Sequence, residues 1–222
     1  MSAKKSFPLL LLAVIWGVYY VASNRAVAQM SVFTVGIVIR LITMVLLTIN
    51  MLRTGKLRRL LDTKGVRIRL CLIGCLGFLL DFTAFLGLQL TSSAGSGTAL
   101  LKTDIIFVNL ISMLIYKQHF GKKEWAVSLT MLFGVLLVMG IDFRTFRLDE
   151  PADIFFVLSA FFISCNAFLI KSVQRSDKAE VSNDTIAFYN NFITMLLFTV
   201  TAVGLGTIGE IGQMEGFGEK SV

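Results

Sequence analysis

The sequence has few of the residues on which metal sites and covalent frameworks depend. Its 222 residues include three cysteines and one histidine. All three cysteines lie in apolar runs, where a thiol behaves as a small hydrophobic group, and no disulfide framework can be read from them. Cys71 and Cys75 share a helix face, but His119 is remote in sequence and lies in a loop. We therefore expect no metal site.

The same scarcity bears on enzymatic activity. A membrane-embedded enzyme needs a histidine, a cysteine or a spaced pair of carboxylates at a polar face. The sequence offers one loop histidine and no such acid pair. We therefore predict that the chain is not an enzyme.

Charge is also scarce. Charged residues make up 16% of the chain and hydrophobic residues 55%, and the mean hydropathy is +0.78. A soluble domain of this length has no use for so much apolar surface. The net charge of +7 does not indicate nucleic acid, because the bases sit in short segments between apolar runs. The composition predicts an all-α, polytopic membrane helix bundle whose surroundings are the lipid bilayer.

Seven apolar runs are long enough to cross a bilayer. The first resembles a signal peptide, since Ala26-Val27-Ala28 imitates a cleavage site, but it is long and aromatic at its far end and more spans follow. We interpret it as a retained helix. The predicted spans are 7–22, 32–52, 70–90, 91–116, 125–141, 153–170 and 186–206.

The distribution of Lys and Arg predicts an orientation. Fifteen of these 21 residues lie before the first span or in 53–69, 117–124 and 171–185, whereas four lie in the connections on the other side. This places the N-terminus in the cytoplasm and the chain in the cell membrane. Segment 53–69 holds seven bases and one acid, which we interpret as a topological signal, with recognition of an anionic lipid headgroup as the alternative.

Four ionisable residues fall in one layer of the predicted bundle. At about 1.5 Å per residue, we place Arg40 and Lys102 about 12 Å deep in the membrane, and Asp81 and Asp104 about 14–15 Å deep. Charges at this depth are costly unless each finds an opposite partner or a water-filled cavity. We predict that the two bases flank the two acids in one shared cavity.

Further polar residues extend this predicted site. Thr98 and Asn109 lie on the Lys102 face of the helix, at spacings of four and seven residues. Lys102 and Asp104 are about 200° apart on an ideal helix, so they reach one partner only if the helix is distorted. Asp81 has apolar neighbours and is the better candidate to carry a proton. The alternative interpretation is a network that only locks helices together.

A short internal repeat suggests two related halves. Ile39-Arg40-Leu41-Ile42-Thr43-Met44 resembles Asn190-Asn191-Phe192-Ile193-Thr194-Met195, which lies five spans further along the chain. The second copy therefore crosses the membrane in the opposite direction, as in transporters with inverted repeats and a site near the midplane. The match places Asn190 or Asn191 where the first half has Arg40.

The chain also resembles the EamA-type drug/metabolite transporters over about residues 8–206, with the order and spacing of the family's segments. The resembling segments are Ile15-Trp16-Gly17 through Asn24 at the family's opening, Arg40 in its second helix, Leu90-Thr91-Ser92-Ser93-Ala94 through Leu100-Leu101 between its third and fourth helices, and Gly134-Val135 in its fifth.

This resemblance implies two five-helix repeats and transport of a small polar metabolite or drug by alternating access, often with proton or solute exchange and without a cofactor. Residues 1–141 then form the first repeat, 142–206 an incomplete second repeat and 207–222 a polar tail. The family often has a proline near Asp104 and a glutamate near Gln118 or His119; both are absent here, so no substrate is assigned.

Seven predicted spans instead of the family's ten suggest truncation after the seventh helix. The expected protein partner is then a second copy or a missing C-terminal half. The alternative function is that of an inactive truncated or accessory integral membrane protein.

Overall fold

A computed structural model describes residues 3–91, 97, 99–117, 119, 121–138, 151–176 and 181–207. Its short 3₁₀ segments span Leu57–Leu61 and Leu101–Thr103. The described residues contain no strand, so the all-α prediction is confirmed. They form seven α-helices: α1 (Ala3–Val27), α2 (Val32–Arg53), α3 (Arg67–Leu90), α4 (Asp104–Tyr116), α5 (Lys122–Val138), α6 (Pro151–Gln174) and α7 (Asn183–Gly204).

The helices have the length and composition of membrane spans. Within the described part of the chain, α2, α3, α6 and α7 are each long and apolar enough to cross a bilayer. Their outer faces expose large apolar side chains such as Leu46, Ile154 and Val200. Lipid covers such surfaces in an integral membrane protein, and the predicted multi-pass helix bundle is confirmed.

Helix α3 lies at the centre of the bundle, where it packs along α6 and α7 and also contacts α1 and α2. Glycines permit the close approach to α7: a Cβ atom on Gly74 would overlap Ile193, and one on Gly77 would overlap Asn190 and Thr194. Small residues at helix contacts let membrane helices approach in this way. Thr194 Oγ1 also donates a hydrogen bond to the Gly74 carbonyl at 3.0 Å.

The core beside these contacts is aromatic. Phe85, Phe156 and Phe198 are all fully buried. The ring of Phe156 on α6 fits against two glycines, since a Cβ atom on Gly87 would lie 3.0 Å from it and one on Gly97 would overlap it. These contacts join α3, α6 and the chain before α4.

Helices α2 and α7 begin in the same way. Each has 22 residues and follows a serine whose hydroxyl caps the first turn. Ser31 Oγ accepts a hydrogen bond from Thr34 N at 3.3 Å, and Ser182 Oγ accepts one from Thr185 N at 3.2 Å. Position 182 is 151 residues beyond position 31, and every later correspondence has the same offset.

The two helices also end alike and pack against each other. Gly55 and Gly206 follow their ends with positive φ values of 66° and 71°. An ion pair of 2.6 Å between Lys56 Nζ and Asp184 Oδ2 joins the end of α2 to the start of α7, so the helices run antiparallel. The six-residue resemblance between α2 and α7 thus extends over a whole helix. The division of the chain into repeats 1–141 and 142–206 and a tail 207–222 stays a prediction.

Candidate functional site

The charged residues predicted on α2 and α3 meet inside the bundle. Arg40 Nε donates a hydrogen bond to Asp81 Oδ2 at 2.8 Å, and Arg40 Nη2 contacts the same oxygen. The side chains are 15% and 7% exposed, respectively. Each charge neutralises the other, which is the condition for holding them away from water.

Arg40 also binds Asn191 on α7. Its Nη1 donates a hydrogen bond to Asn191 Oδ1 at 2.6 Å. Asn191 Nδ2 donates in turn to the Ala187 carbonyl at 2.8 Å, which orients the amide with its oxygen toward the guanidinium group. One side chain therefore connects α2 both to α3 and to α7.

The Arg40–Asn191 contact joins corresponding positions of two matching helices. Each residue lies eight positions after the first residue of its helix, Val32 or Asn183. Arg40 therefore joins α2 to α7 within their antiparallel contact.

A cavity of about 500 Å³ opens beside the ion pair. Helices α1, α2, α3 and α6 bound it, together with Leu101 from the 3₁₀ segment before α4. This volume lies within the range of small-molecule sites, and such sites combine apolar walls with a few polar groups. The polar and aromatic lining residues are Trp16, Tyr19, Tyr20, Arg40, Thr43, Asp81, Phe85, Ser159 and Asn166.

One wall of the cavity is aromatic. The rings of Trp16, Tyr19 and Tyr20 lie with their centroids 5.6–5.8 Å apart. These residues were not predicted to belong to the site, although their spacings of three and four place them close together on a helix. The wall provides an apolar contact surface with polar ring edges.

Helix α6 supplies the remaining polar lining. Ser159 Oγ donates to the Leu80 carbonyl at 2.8 Å, which joins α6 to α3. Asn166 is buried, and its Oδ1 has no hydrogen-bond partner within the described ranges. These residues were also missed, although a spacing of seven places both on one face of a mostly apolar helix.

The structure does not bring Lys102 and Asp104 to the Arg40–Asp81 pair. Neither lines the cavity, and neither forms an ion pair within 4.0 Å with another residue that the structure describes. Helix α6 contacts both α3 and α4, which the order of helices along the chain does not reveal. The assignment of Lys102 and Asp104 to a solute or proton pathway stays a prediction.

The helical stretch that contains Lys102 and Asp104 is distorted at these two residues. Such a distortion is required if both side chains are to reach one partner. Lys102 lies in a 3₁₀ segment, and α4 begins at Asp104. Thr103 Oγ1 donates to the Leu100 carbonyl at 2.7 Å within the same turn. A 3₁₀ turn inside a longer helical stretch often marks a hinge or strain.

The other predicted residues have separate surroundings. Asn109 Nδ2 donates to Ser128 Oγ at 2.7 Å, which joins α4 to α5 away from the cavity. Asn190 lies against Gly77, and its buried Oδ1 has no partner in the described part of the chain. Thr98 lies outside the described residues.

Comparison with known proteins identifies the family. Residues 5–140 match the model of the EamA-like transporter family, a range that includes Trp16, Arg40 and Asp81. The chain belongs to the EamA-like transporter family. This confirms the resemblance seen in the sequence, and the family is one of membrane transporters.

A curated relative belongs to the same functional class. The chain is 30% identical over 141 residues to the uncharacterized transporter YdfC of Bacillus subtilis (strain 168). The match covers 63% of this chain and 45% of that relative, so the chain matches less than half the length of the relative.

Proposed function

We propose that this chain acts in secondary transport of a small polar metabolite or drug across the cell membrane, with the solute bound in the cavity beside Arg40 and Asp81. The observation that carries this proposal is the buried ion pair at the edge of a 500 Å³ cavity. Ionisable groups at membrane depth mark solute and proton pathways. The cavity lies between α1–α3 and α6, which belong to the two predicted repeats.

The contacts of Arg40 suggest how the site takes part in alternating access. Transport requires the two halves to move relative to each other about a site near the midplane. Arg40 ties α2 to α3 through Asp81 and to α7 through Asn191. Protonation of Asp81 removes the charge that attracts the guanidinium group, so we assign Asp81 as the residue that exchanges a proton for the solute.

The remaining lining residues suggest how a solute is held. The aromatic rings of Trp16, Tyr19 and Tyr20 contact its apolar part. Asn166 Oδ1 accepts a hydrogen bond from an N–H or O–H group of the solute. A bound solute then supplies the hydrogen bond that Asn166 Oδ1 lacks within the described residues.

Uptake into sealed proteoliposomes tests this function. The panel contains radiolabelled amino acids, nucleobases and small organic amines, offered with and without an inward proton gradient. We expect uptake of at least one solute by the wild-type chain and a loss of about tenfold or more in Asp81→Asn, as for the loss of a charge-assisted hydrogen bond. Asp62→Asn is the matched control, because Asp62 is exposed in the segment after α2.

Two results would contradict the proposal. Equal uptake by Asp81→Asn and wild type would remove Asp81 from the pathway. Absence of uptake by a well-folded wild-type chain across the panel would favour an accessory protein, or a chain that needs a second copy or a C-terminal half.

A further inference from the structure

The segment from the end of α2 to the first turn of α3, residues 53–69, has a defined structure. Gly55 and Gly65 have positive φ values of 66° and 89° on either side of the 3₁₀ segment Leu57–Leu61. Thr63 and Val66 are buried, and Val66 belongs to a small apolar cluster with residues of α3, α6 and α7. The segment is therefore folded onto the ends of the helices.

Polar contacts add to this attachment. Lys56 Nζ pairs with Asp184 Oδ2 at 2.6 Å, and Tyr189 donates its hydroxyl hydrogen to the Leu60 carbonyl at 2.9 Å. Both partners lie on α7. The basic side chains of the segment thus project from a fixed backbone, which reduces the entropy lost when they bind a ligand.

Most of these bases have no acidic partner among the residues that the structure describes. Lys56 pairs with Asp184, and Arg69 Nη1 donates to the Ser172 carbonyl at 3.2 Å. The other five are exposed and form no ion pair with any residue that the structure describes. They are Arg53, Arg58, Arg59, Lys64 and Arg67.

Large apolar side chains stand exposed among these bases. Leu61 and Ile68 are 76% and 77% exposed. Both lie next to the predicted membrane surface, at the end of the 3₁₀ segment and in the first turn of α3. Bases interleaved with exposed apolar side chains are typical of segments that lie in a membrane interface.

We propose that segment 53–69 binds the headgroups of anionic phospholipids. The five exposed bases contact the lipid phosphates, and Leu61 and Ile68 enter the boundary of the acyl chains. Basic residues beside a membrane span are attracted to anionic lipids in this way. A purely topological role accounts for the excess of bases, but it requires neither the attachment of the segment to α7 nor the exposed apolar side chains.

Native mass spectrometry of the full chain, purified in mild detergent with added phosphatidylglycerol or phosphatidylcholine of the same acyl chains, tests this proposal. We expect the wild type to retain phosphatidylglycerol preferentially. The double variant Arg58→Gln/Arg59→Gln loses about tenfold or more of this binding. Lys122→Gln/Lys123→Gln removes the same charge from exposed residues at the start of α5 and changes the binding less than about twofold.

Further measurements distinguish a lipid site from a site that binds any small anion. Soluble glycerophosphoglycerol at the same concentration remains unbound if the acyl boundary contributes, and Leu61→Ser/Ile68→Ser lowers lipid retention without changing charge. Raising the salt from 0.1 to 0.5 M weakens retention by the wild type itself, which requires no variant. Equal retention of the two lipids by the wild type, or equal losses in both double variants, would overturn the proposal.

Discussion

Helices α2 and α7 share a length, a serine cap and a terminal glycine, but they differ where they meet. Arg40 brings a charge to this contact, and Asp81 on α3 neutralises it. Asn191 brings a neutral amide at the corresponding position, and Arg40 and the Ala187 carbonyl satisfy it. The shared caps and packing thus give the two helices the same structure. The residue at one equivalent position, Arg40 or Asn191, determines which helix needs an acidic partner.

The largest expected effect comes from removing that acidic partner. Asp81→Ala leaves the Arg40 charge buried and unpaired, so we expect a loss of about 3–5 kcal/mol in the free energy of unfolding. Arg40→Leu/Asp81→Leu removes both charges and recovers most of this stability. Unfolding in mixed detergent micelles, followed by circular dichroism, measures both. Equal stability of Asp81→Ala and wild type would show that the pair is not buried.

Removing Asn191, the neutral partner of Arg40, has a smaller expected effect. Asn191→Ala removes the amide oxygen that accepts a hydrogen bond from the charged Arg40 guanidinium group. This loss costs about 1.5–3 kcal/mol in the free energy of unfolding. The adjacent Asn190→Ala is the matched control, because Asn190 Oδ1 has no hydrogen bond to lose within the described residues. The same unfolding measurement compares the two variants. A larger loss in Asn190→Ala than in Asn191→Ala would contradict the assigned contacts.

A further difference between the helices lies one turn earlier, where α2 has Gly36 and α7 has Ala187. A Cβ atom on Gly36 would lie 2.7 Å from the Phe198 ring, which is fully buried. Gly36→Ala therefore costs about 1–3 kcal/mol through overpacking. Gly134→Ala on α5 meets open space and is the control, with no loss expected. Equal thermal stability of both variants would show that α2 and α7 are less closely packed.

The caps test the feature that the helices share. Ser31→Ala and Ser182→Ala each remove the hydroxyl that accepts from the first turn, so each costs about 1 kcal/mol. We expect the two losses in unfolding free energy to agree within about 0.5 kcal/mol, and Ser→Thr at either position to retain most of the stability. Losses that differ by more than about 0.5 kcal/mol would show that α2 and α7 correspond in sequence but not in the strength of their caps.

Part of this structure was predictable from sequence because it follows from composition and spacing. Apolar runs predicted an all-α membrane bundle. The repeat placed Asn190 or Asn191 at the position equivalent to Arg40, and Asn191 is the one that contacts Arg40. The depth of a residue along its helix also placed Arg40 and Asp81 at a similar level.

The rest depends on which helices are neighbours. Depth gives a level in the membrane but not a direction around the bundle, so it did not separate Lys102 and Asp104 from the pair. The aromatic wall and Asn166 were missed because their role depends on α1 and α6 both bounding the cavity. That arrangement depends on tertiary packing and cannot be read from any single apolar run of the sequence.

Solute uptake by Arg40→Leu/Asp81→Leu is the most direct test of whether the ion pair is a transport site or only a lock between helices. The double variant keeps a neutral core and much of its stability, so a lock alone leaves uptake intact. We predict that the reconstituted, well-folded double variant takes up no solute that the wild type transports. Uptake at the wild-type rate would contradict the role assigned to Arg40 and Asp81.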